Sequence, residues 1–270
     1  MLLTVHDRPA YCYTGGKVFD AALPTAVFIH GAQEDHSVWV LQTRYFAHHG
    51  FGVLAVDLPG HGRSAGPALK SVEEIAAWQL AVLDAAGARD ALLIGHSMGS
   101  LIALEASFQA PQRVRRLALL GAAYPMKVSG ALLEAALNDE PRAIDMANIW
   151  SHSSIAQKPS FPGPGFYVPA GGQRLKQRIS QINPDHVFHN DFSACNAYAN
   201  GDAAAAAVRC PTLFLLAQKD MMTPPRNARS LIGKVTGSRL TLLPDCGHSM
   251  MAEQPDAVLE ALFGFATAGE

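Results

Sequence analysis

The sequence lacks the features that mark membrane, secreted and nucleic-acid-binding proteins. Its longest apolar runs fall well short of the roughly 20 residues that a membrane-spanning helix needs. Residues 1–8 have neither a basic lead nor a long apolar stretch, so no secretory signal is expected and a cytoplasmic location is predicted. Lys and Arg number 21 and Asp and Glu 23, which gives a formal net charge of −2. No basic excess therefore indicates a nucleic acid or an anionic membrane as a partner.

Cysteine and charge are also scarce. The four cysteines are scattered, with no C-x-x-C pair, and neither a disulfide framework nor a zinc site is predicted. Charged residues make up 16% of the chain and hydrophobic residues 49%, which excludes a disordered chain. With 270 residues, the chain is long enough for one large domain or for a domain with an insertion.

Short apolar runs recur through the first half of the chain, each bounded by Gly, Asp or Pro. They cover residues 26–29, 53–56, 91–94 and 117–120. Their continuous apolar character predicts strands of a parallel sheet that is covered on both faces. Helix-like stretches follow the first three runs, at 37–48, 71–86 and 98–110. The second begins S-V-E-E, which predicts a capping box between Ser71 and Glu74. The alternation predicts a mostly parallel, doubly wound α/β sheet.

The pattern differs at the start and in the second half. Residues 2–5 and 10–13 flank Asp7-Arg8-Pro9 and predict an antiparallel hairpin. After Gly121 the buried-strand runs stop, and helical stretches and a Pro/Gly-rich loop follow. Strand patterns resume later, and a last helix follows them. These segments are at 212–217, 240–243 and 255–266. The sequence therefore predicts an α/β core, residues 1–121 and 208–270, interrupted by a helical insertion, residues 122–207.

The segment Gly95-His96-Ser97-Met98-Gly99 has the pattern G-x-S-x-G. The pentapeptide alone is a weak signal, but a buried strand is predicted before it and a helix after it. That is the setting of a nucleophile elbow, in which a strained turn exposes the serine oxygen above the sheet. Small residues at 95 and 99 let the neighbouring backbone pass. Ser97 is therefore the candidate nucleophile.

A serine hydroxyl needs a base, and the base needs a carboxylate to orient it. Of the 11 histidines, His248 follows the last predicted strand, where a loop can bring its imidazole over the elbow. Asp220 follows the preceding predicted strand, and the order Ser97, Asp220, His248 is that of α/β-hydrolases. Asp57 also ends a predicted strand, but it precedes the serine. Asp220 is favoured over Asp57 for this reason.

Together these motifs resemble the α/β-hydrolase fold family, and within it the small serine esterases and lactonases. The resemblance covers about residues 2–121 and 208–268. It rests on His30-Gly31-Ala32, the loop at 57–64, the elbow, Asp220 and Gly247-His248. It implies that the backbone N–H groups of Ala32 and Met98 form an oxyanion hole, and that the insertion is a cap over the active site. A serine at the elbow disfavours the aspartate chemistry of haloalkane dehalogenases and epoxide hydrolases.

The expected function is hydrolysis of a carboxylic ester or lactone, a small-molecule substrate, with neither a cofactor nor a metal. Carbon–carbon bond hydrolysis of ring-cleavage products, acyl transfer and perhydrolysis use the same triad, and a small-molecule receptor can keep the same pocket. Aromatic residues of the insertion are candidates to line an apolar acyl pocket, or simply to pack the cap onto the core. These are Trp150, Phe161, Phe166, Tyr167, Phe188 and Phe192. The sequence leaves the oligomeric state open.

Overall fold

A computed structural model describes residues 1–154, 167–183 and 185–268, and its centre is one eight-stranded sheet. The strands are β1 (Leu2–Val5), β2 (Arg8–Tyr13), β3 (Thr25–Ile29), β4 (Gly52–Val56), β5 (Ala91–His96), β6 (Val114–Leu120), β7 (Thr212–Ala217) and β8 (Arg239–Leu243). Their order is β1-β2-β4-β3-β5-β6-β7-β8. The pairs β1–β2 and β2–β4 are antiparallel, and all the others are parallel. The predicted mostly parallel sheet and the hairpin at its start are confirmed.

Helices alternate with the strands on both sides of the sheet. In the described residues they are α1 (Val40–His48), α2 (Val72–Ala85), α3 (Met98–Gln109), α4 (Gly130–Asn138), α5 (Glu140–Ser151), α6 (Val168–Ile182), α7 (Val187–Ala197), α8 (Gly201–Ala207), α9 (Arg229–Lys234), α10 (Met250–Glu253) and α11 (Pro255–Thr267). None of these helices combines the length and the apolarity that a membrane crossing requires.

The cap of α2 differs in one detail from the predicted capping box. The Ser71 hydroxyl accepts the backbone N–H of Glu74 at 3.2 Å, as predicted. The Glu74 carboxylate, however, accepts the backbone N–H of Lys70 at 3.0 Å instead of that of Ser71. The reciprocal bond is displaced by one residue, and it still satisfies a backbone donor ahead of the helix.

Two apolar layers cover the sheet and explain the unbroken apolar runs. Successive residues of a strand point to opposite faces, so Val27 and Ile29 pack with α2 and α3. Ala26 and Phe28 pack on the other face with α1 and α11. Both faces of the central strands are thus buried, which explains why the runs at 26–29, 53–56 and 91–94 are apolar at every position.

The segment between β6 and β7 holds five of the described helices, α4 to α8. Helices α4, α5 and α7 share a separate apolar cluster that includes Leu132, Ile144 and Phe188. Helix α8 packs instead against α3 and α9. The division into a core and a cap at residues 122–207 stays a prediction, and the Pro/Gly-rich loop at 158–165 lies outside the described residues. Residues of α5 and α7 line a cavity together with Ser97, which directly follows the carboxyl end of β5, so these helices lie beside the candidate site.

Candidate active site

Ser97 sits on a strained turn between β5 and α3. Its φ is 53° and its ψ is −119°, a left-handed conformation that non-glycine residues rarely adopt. The flanking glycines are required sterically. A Cβ at Gly95 would lie 2.0 Å from the carbonyl oxygen of Gly99, and one at Gly99 would lie 2.3 Å from that of Ile29. The turn therefore has the backbone geometry of a nucleophile elbow.

Asp220 and His248 lie together at the carboxyl ends of the neighbouring parallel strands β7 and β8. The two residues follow these strands, and His248 Nδ1 is 2.7 Å from Asp220 Oδ2. Because a carboxylate can only accept, Nδ1 carries the proton and Nε2 keeps its lone pair in the neutral ring. Burial alone would raise the pKa of Asp220, but the charge of His248 and the hydrogen bonds to the carboxylate outweigh it and lower that pKa.

Thr223 completes this arrangement, a role that the sequence motifs do not predict. Its backbone N–H donates to Asp220 Oδ1 at 2.7 Å and its hydroxyl to Asp220 Oδ2 at 2.8 Å. The hydroxyl oxygen also lies 3.0 Å from His248 Nδ1. The signal in the sequence is the spacing D-x-x-T, since Asp side chains commonly bond a backbone N–H a few residues ahead.

Ser97 and His248 line the same small cavity, of about 20 Å³. His96, the residue before the serine, fixes the histidine loop: its Nε2 donates to the carbonyl oxygen of His248 at 2.9 Å. Asp57, the alternative acid, lies elsewhere. Its carboxylate accepts from Nδ1 of His36 at 2.7 Å and from the backbone N–H of Arg63 at 2.8 Å. The structure thus brings Asp220, and not Asp57, to His248.

The two candidate oxyanion donors are available. In the described part of the chain, the backbone N–H groups of Ala32 and Met98 have no hydrogen-bond acceptor. Ala32 lines the small cavity beside Ser97. Gln33, the next residue, is not available, because its backbone N–H donates to Asp191 Oδ2 at 2.9 Å. Its side-chain amide donates to α6, where the Ser180 hydroxyl is one of the acceptors.

The same carboxylate of Asp191 binds a buried histidine. His61 Nε2 lies 2.9 Å from Asp191 Oδ2, and the other ring nitrogen faces the carbonyl oxygen of Pro59 at 3.1 Å. Both side chains are almost fully buried, at 2% and 1% exposure. Burial lowers the pKa of His61. The charge of Asp191 and the hydrogen bonds raise that pKa by a larger amount, so the net shift is upward. We interpret the pair as an imidazolium and a carboxylate.

His30 holds the start of the oxyanion loop. Its Nδ1 donates to the carbonyl oxygen of Gly31 at 2.8 Å, and its Nε2 accepts the backbone N–H of Leu58 at 3.1 Å. One nitrogen donates and the other accepts, which is the pattern of a neutral ring. Burial lowers the pKa of His30 in agreement with this pattern.

An apolar cavity of about 260 Å³ opens beside Ser97. Trp150 and Phe192, two of the predicted pocket aromatics, line it together with Met126, Val128 and Leu132. Phe188 lines the small cavity instead. Tyr167 is exposed and lines neither of these two cavities. Phe161 and Phe166 lie outside the described residues.

One group in the described residues brings three potential metal ligands within 4.8 Å of one another, namely Asp35, His36 and Asp57. Its carboxylates already have partners. Asp57 binds His36, as described above, and Asp35 forms an ion pair with Arg178 and accepts from the Ser37 hydroxyl. This arrangement accounts for the group without a metal ion.

Comparisons with known proteins agree with this fold. The model of the family described as "Alpha/beta hydrolase family" matches residues 26–261. The "(E)-2-((N-methylformamido)methylene)succinate hydrolase" of Acinetobacter baylyi is 24% identical, with 87% of this chain and 88% of that protein aligned. The solved structure of "Est816 as an N-Acyl homoserine lactone degrading enzyme" has a TM-score of 0.81 and 25% identity, covering 98% and 100% of the two chains. The enol-lactonase from Burkholderia xenovorans LB400 has a TM-score of 0.82 at 20% identity, covering 99% and 100%.

Proposed function

Because the chain belongs to the alpha/beta hydrolase family, we propose that it hydrolyses carboxylic esters or lactones through an acyl-enzyme on Ser97. One observation carries the proposal. Ser97, on its strained turn, lines the same small cavity as His248, whose Nδ1 is bonded to the buried Asp220. The likeness to a lactone-degrading enzyme at 25% identity supports the same bond type.

The first half of the reaction forms the acyl-enzyme. Nε2 of His248 removes the proton of the Ser97 hydroxyl as its oxygen attacks the carbonyl carbon, and Asp220 stabilises the imidazolium that results. The negative charge on the carbonyl oxygen develops beside the N–H groups of Ala32 and Met98. These donors are fixed before the reaction, and the loss of one such donor typically costs about 10²–10³ in rate.

The second half releases the acid. The imidazolium of His248 gives its proton to the leaving oxygen, and the bond between that oxygen and the acyl carbon breaks. His248 then removes a proton from a water molecule as the water oxygen attacks the acyl carbon. The bond between that carbon and Ser97 Oγ breaks, and His248 returns the proton to Oγ, which restores the Ser97 hydroxyl and releases the acid. The apolar cavity of about 260 Å³, lined in part by Trp150 and Phe192, is the site we assign to the acyl chain.

The test is hydrolysis of p-nitrophenyl esters graded from acetate to long acyl chains, with N-acyl homoserine lactones as the lactone arm. Wild type and Ser97→Ala are compared, and we expect the variant to lose on the order of 10⁶ in kcat. Ser107→Ala is the matched control, because Ser107 is a buried serine on α3, the helix that follows Ser97. A Ser97→Ala variant as active as wild type, or a wild type inert on every ester and lactone, would contradict the proposal.

The likeness to a hydrolase of (E)-2-((N-methylformamido)methylene)succinate favours a second candidate, cleavage of a carbon–nitrogen bond. An amide or enamide would use the same nucleophile and base, since His248 can protonate a leaving nitrogen as it does an oxygen. An arm of the same panel with an N-acyl p-nitroanilide distinguishes the two. Turnover of the anilide with no turnover of any ester would favour carbon–nitrogen bond cleavage over ester hydrolysis.

A further inference from the structure

A second sizeable cavity, of about 240 Å³, adjoins the small cavity of the candidate active site. The small cavity of Ser97 and His248 shares lining residues with both large cavities. It shares Ala32, Phe192 and Met222 with the apolar cavity. It shares Glu34 and Lys176 with the second cavity. The small cavity therefore adjoins both large cavities, and Ser97 lines the small cavity and the apolar one.

The second cavity, which we name the polar cavity, differs in chemistry from the apolar one. Its polar lining residues are Glu34, Ser37, His152, Lys176 and Ser249. His152 brings no positive charge, because burial lowers its pKa and its Nδ1 donates to the carbonyl oxygen of Asn148 at 2.7 Å. Among the described residues that line the polar cavity, Lys176 is thus the sole cation.

Lys176 is a buried ammonium with incomplete partners. The residue is 6% exposed. Its Nζ lies 3.8 Å from Glu34 Oε1, which is beyond hydrogen-bond distance, and it has no nearer acceptor in the described part of the chain. An ammonium offers three donors, and a buried charge left without hydrogen bonds is costly. The structure therefore leaves room for an anionic acceptor at this atom.

Glu34 cannot satisfy Lys176 fully, because other groups hold its carboxylate. Glu34 Oε2 accepts the backbone N–H of Gly31 at 3.1 Å and lies 3.6 Å from His96 Nδ1. Burial raises the pKa of Glu34, but His96 and Lys176 outweigh it and hold that pKa below its usual range. Glu34 is therefore negative, and its charge disfavours a doubly charged ligand at Lys176 more than a singly charged one.

On the basis of the proposed function, we propose that the substrate carries a carboxylate on its leaving-group portion and that Lys176 binds it. His248 must protonate the leaving oxygen, and it lines the small cavity together with Lys176. Ser249, the next residue, lines the polar cavity. Neither His248 nor Lys176 lines the apolar cavity. The leaving group thus extends toward Lys176, while the acyl chain occupies the apolar side.

Two pairs of esters test the position of the charge. The first pair is 4-carboxyphenyl butyrate and its methyl ester, which differ in charge on the leaving group. The second pair is phenyl hydrogen succinate and phenyl methyl succinate, which differ in charge on the acyl portion. Phenol release gives kcat/KM for each ester. We expect a preference of about tenfold or more for the charged member of the first pair, and none for the charged member of the second.

Variants at Lys176 test whether this residue binds the carboxylate of the leaving group. Lys176→Met should reduce the preference in the first pair to about one, and Lys176→Arg should keep most of it. Lys127→Met is the matched control, because Lys127 is an exposed lysine beside the apolar cavity, and it should keep the preference. If Lys176→Met fails to fold, Lys176→Met combined with Glu34→Gln removes both charges and leaves neither unpaired.

Several outcomes would overturn the inference while the proposed function stands. They are a wild type without a charge preference, a preference that survives Lys176→Met, a preference lost in Lys127→Met, and a preference for the charged succinate. Binding separates the inference from the function. Ser97→Ala should bind 4-carboxyphenyl butyrate more tightly than Ser97→Ala combined with Lys176→Met, measured by titration calorimetry. That difference supports the anion site even if the wild type hydrolyses no ester.

Discussion

The carboxylate of Asp191 accepts the backbone N–H of Gln33 at 2.9 Å and so joins helix α7 to the loop that carries Ala32. The contact is buried and links residues far apart in the sequence. Asp191 also binds the ring of His61 at 2.9 Å, which brings the loop after β4 to the same carboxylate. One buried acid therefore fixes the residue next to a proposed oxyanion donor, and Asp191 is a candidate positioning residue.

Asp191→Asn should lower kcat by about tenfold to a hundredfold, because a small displacement of a donor loop is costly in the transition state. We expect KM to change little, since Asp191 does not itself line the apolar cavity proposed for the acyl chain. The free energy of unfolding should fall by about 1–3 kcal/mol, because the buried His61 loses its charged partner. Steady-state kinetics and urea denaturation measure both effects. Asp185→Asn, at an exposed position just before α7, is the control, and equal effects of the two variants would contradict the assignment.

The stability of the fold should depend on pH through His61. Burial lowers the pKa of His61, but Asp191 and the carbonyl oxygen of Pro59 raise it more, and the folded pKa lies above the unfolded value. The stabilisation is therefore complete below about pH 6.5 and is lost as the pH rises through the raised pKa. The unfolding free energy of wild type minus that of His61→Gln should decrease between about pH 6 and pH 9. A difference that is constant with pH would show that folding does not raise the pKa of His61.

The sheet could be predicted from the sequence because its signals are local. Residues 26–29, 53–56 and 91–94 are apolar at every position and are bounded by turn residues, a pattern typical of strands buried on both faces. The elbow was equally accessible, since both of its glycines and Ser97 lie within five consecutive residues. Asp220 and His248 each follow one of two neighbouring parallel strands, and this order predicts that both lie at the carboxyl ends of those strands.

The partners of Asp191 could not be predicted, because they depend on contacts between distant segments. His61 and Gln33 are 130 and 158 residues away from it, and no spacing rule connects these positions. The burial of Lys176 could not be predicted either, because a lysine on a polar helix is normally expected to be exposed. Long-range packing, and not local propensity, determines these parts of the site.

Thr223→Val should reduce kcat by about tenfold, because it removes the hydroxyl that donates to Asp220 and lies 3.0 Å from Nδ1 of His248, while the side chain keeps its volume. Thr223→Ser restores the hydroxyl and should restore most of the rate. The comparison is made on p-nitrophenyl butyrate at a saturating concentration. A serine variant as slow as the valine variant would indicate that packing, and not the hydrogen bond, is responsible.

The strain at Ser97 gives a prediction that is independent of the substrate. At φ 53° and ψ −119°, a residue with a Cβ is strained by roughly 1–3 kcal/mol, and glycine is not. Ser97→Gly should therefore be more stable than Ser97→Ala, although glycine normally destabilises a folded protein by its greater freedom in the unfolded chain. Both variants lack the hydroxyl, so their difference in unfolding free energy isolates the backbone term. Ser107→Gly against Ser107→Ala, in the interior of α3, should give the opposite sign, because glycine costs about 1 kcal/mol relative to alanine inside a helix. If glycine is the less stable choice at both positions, the turn at Ser97 is not strained.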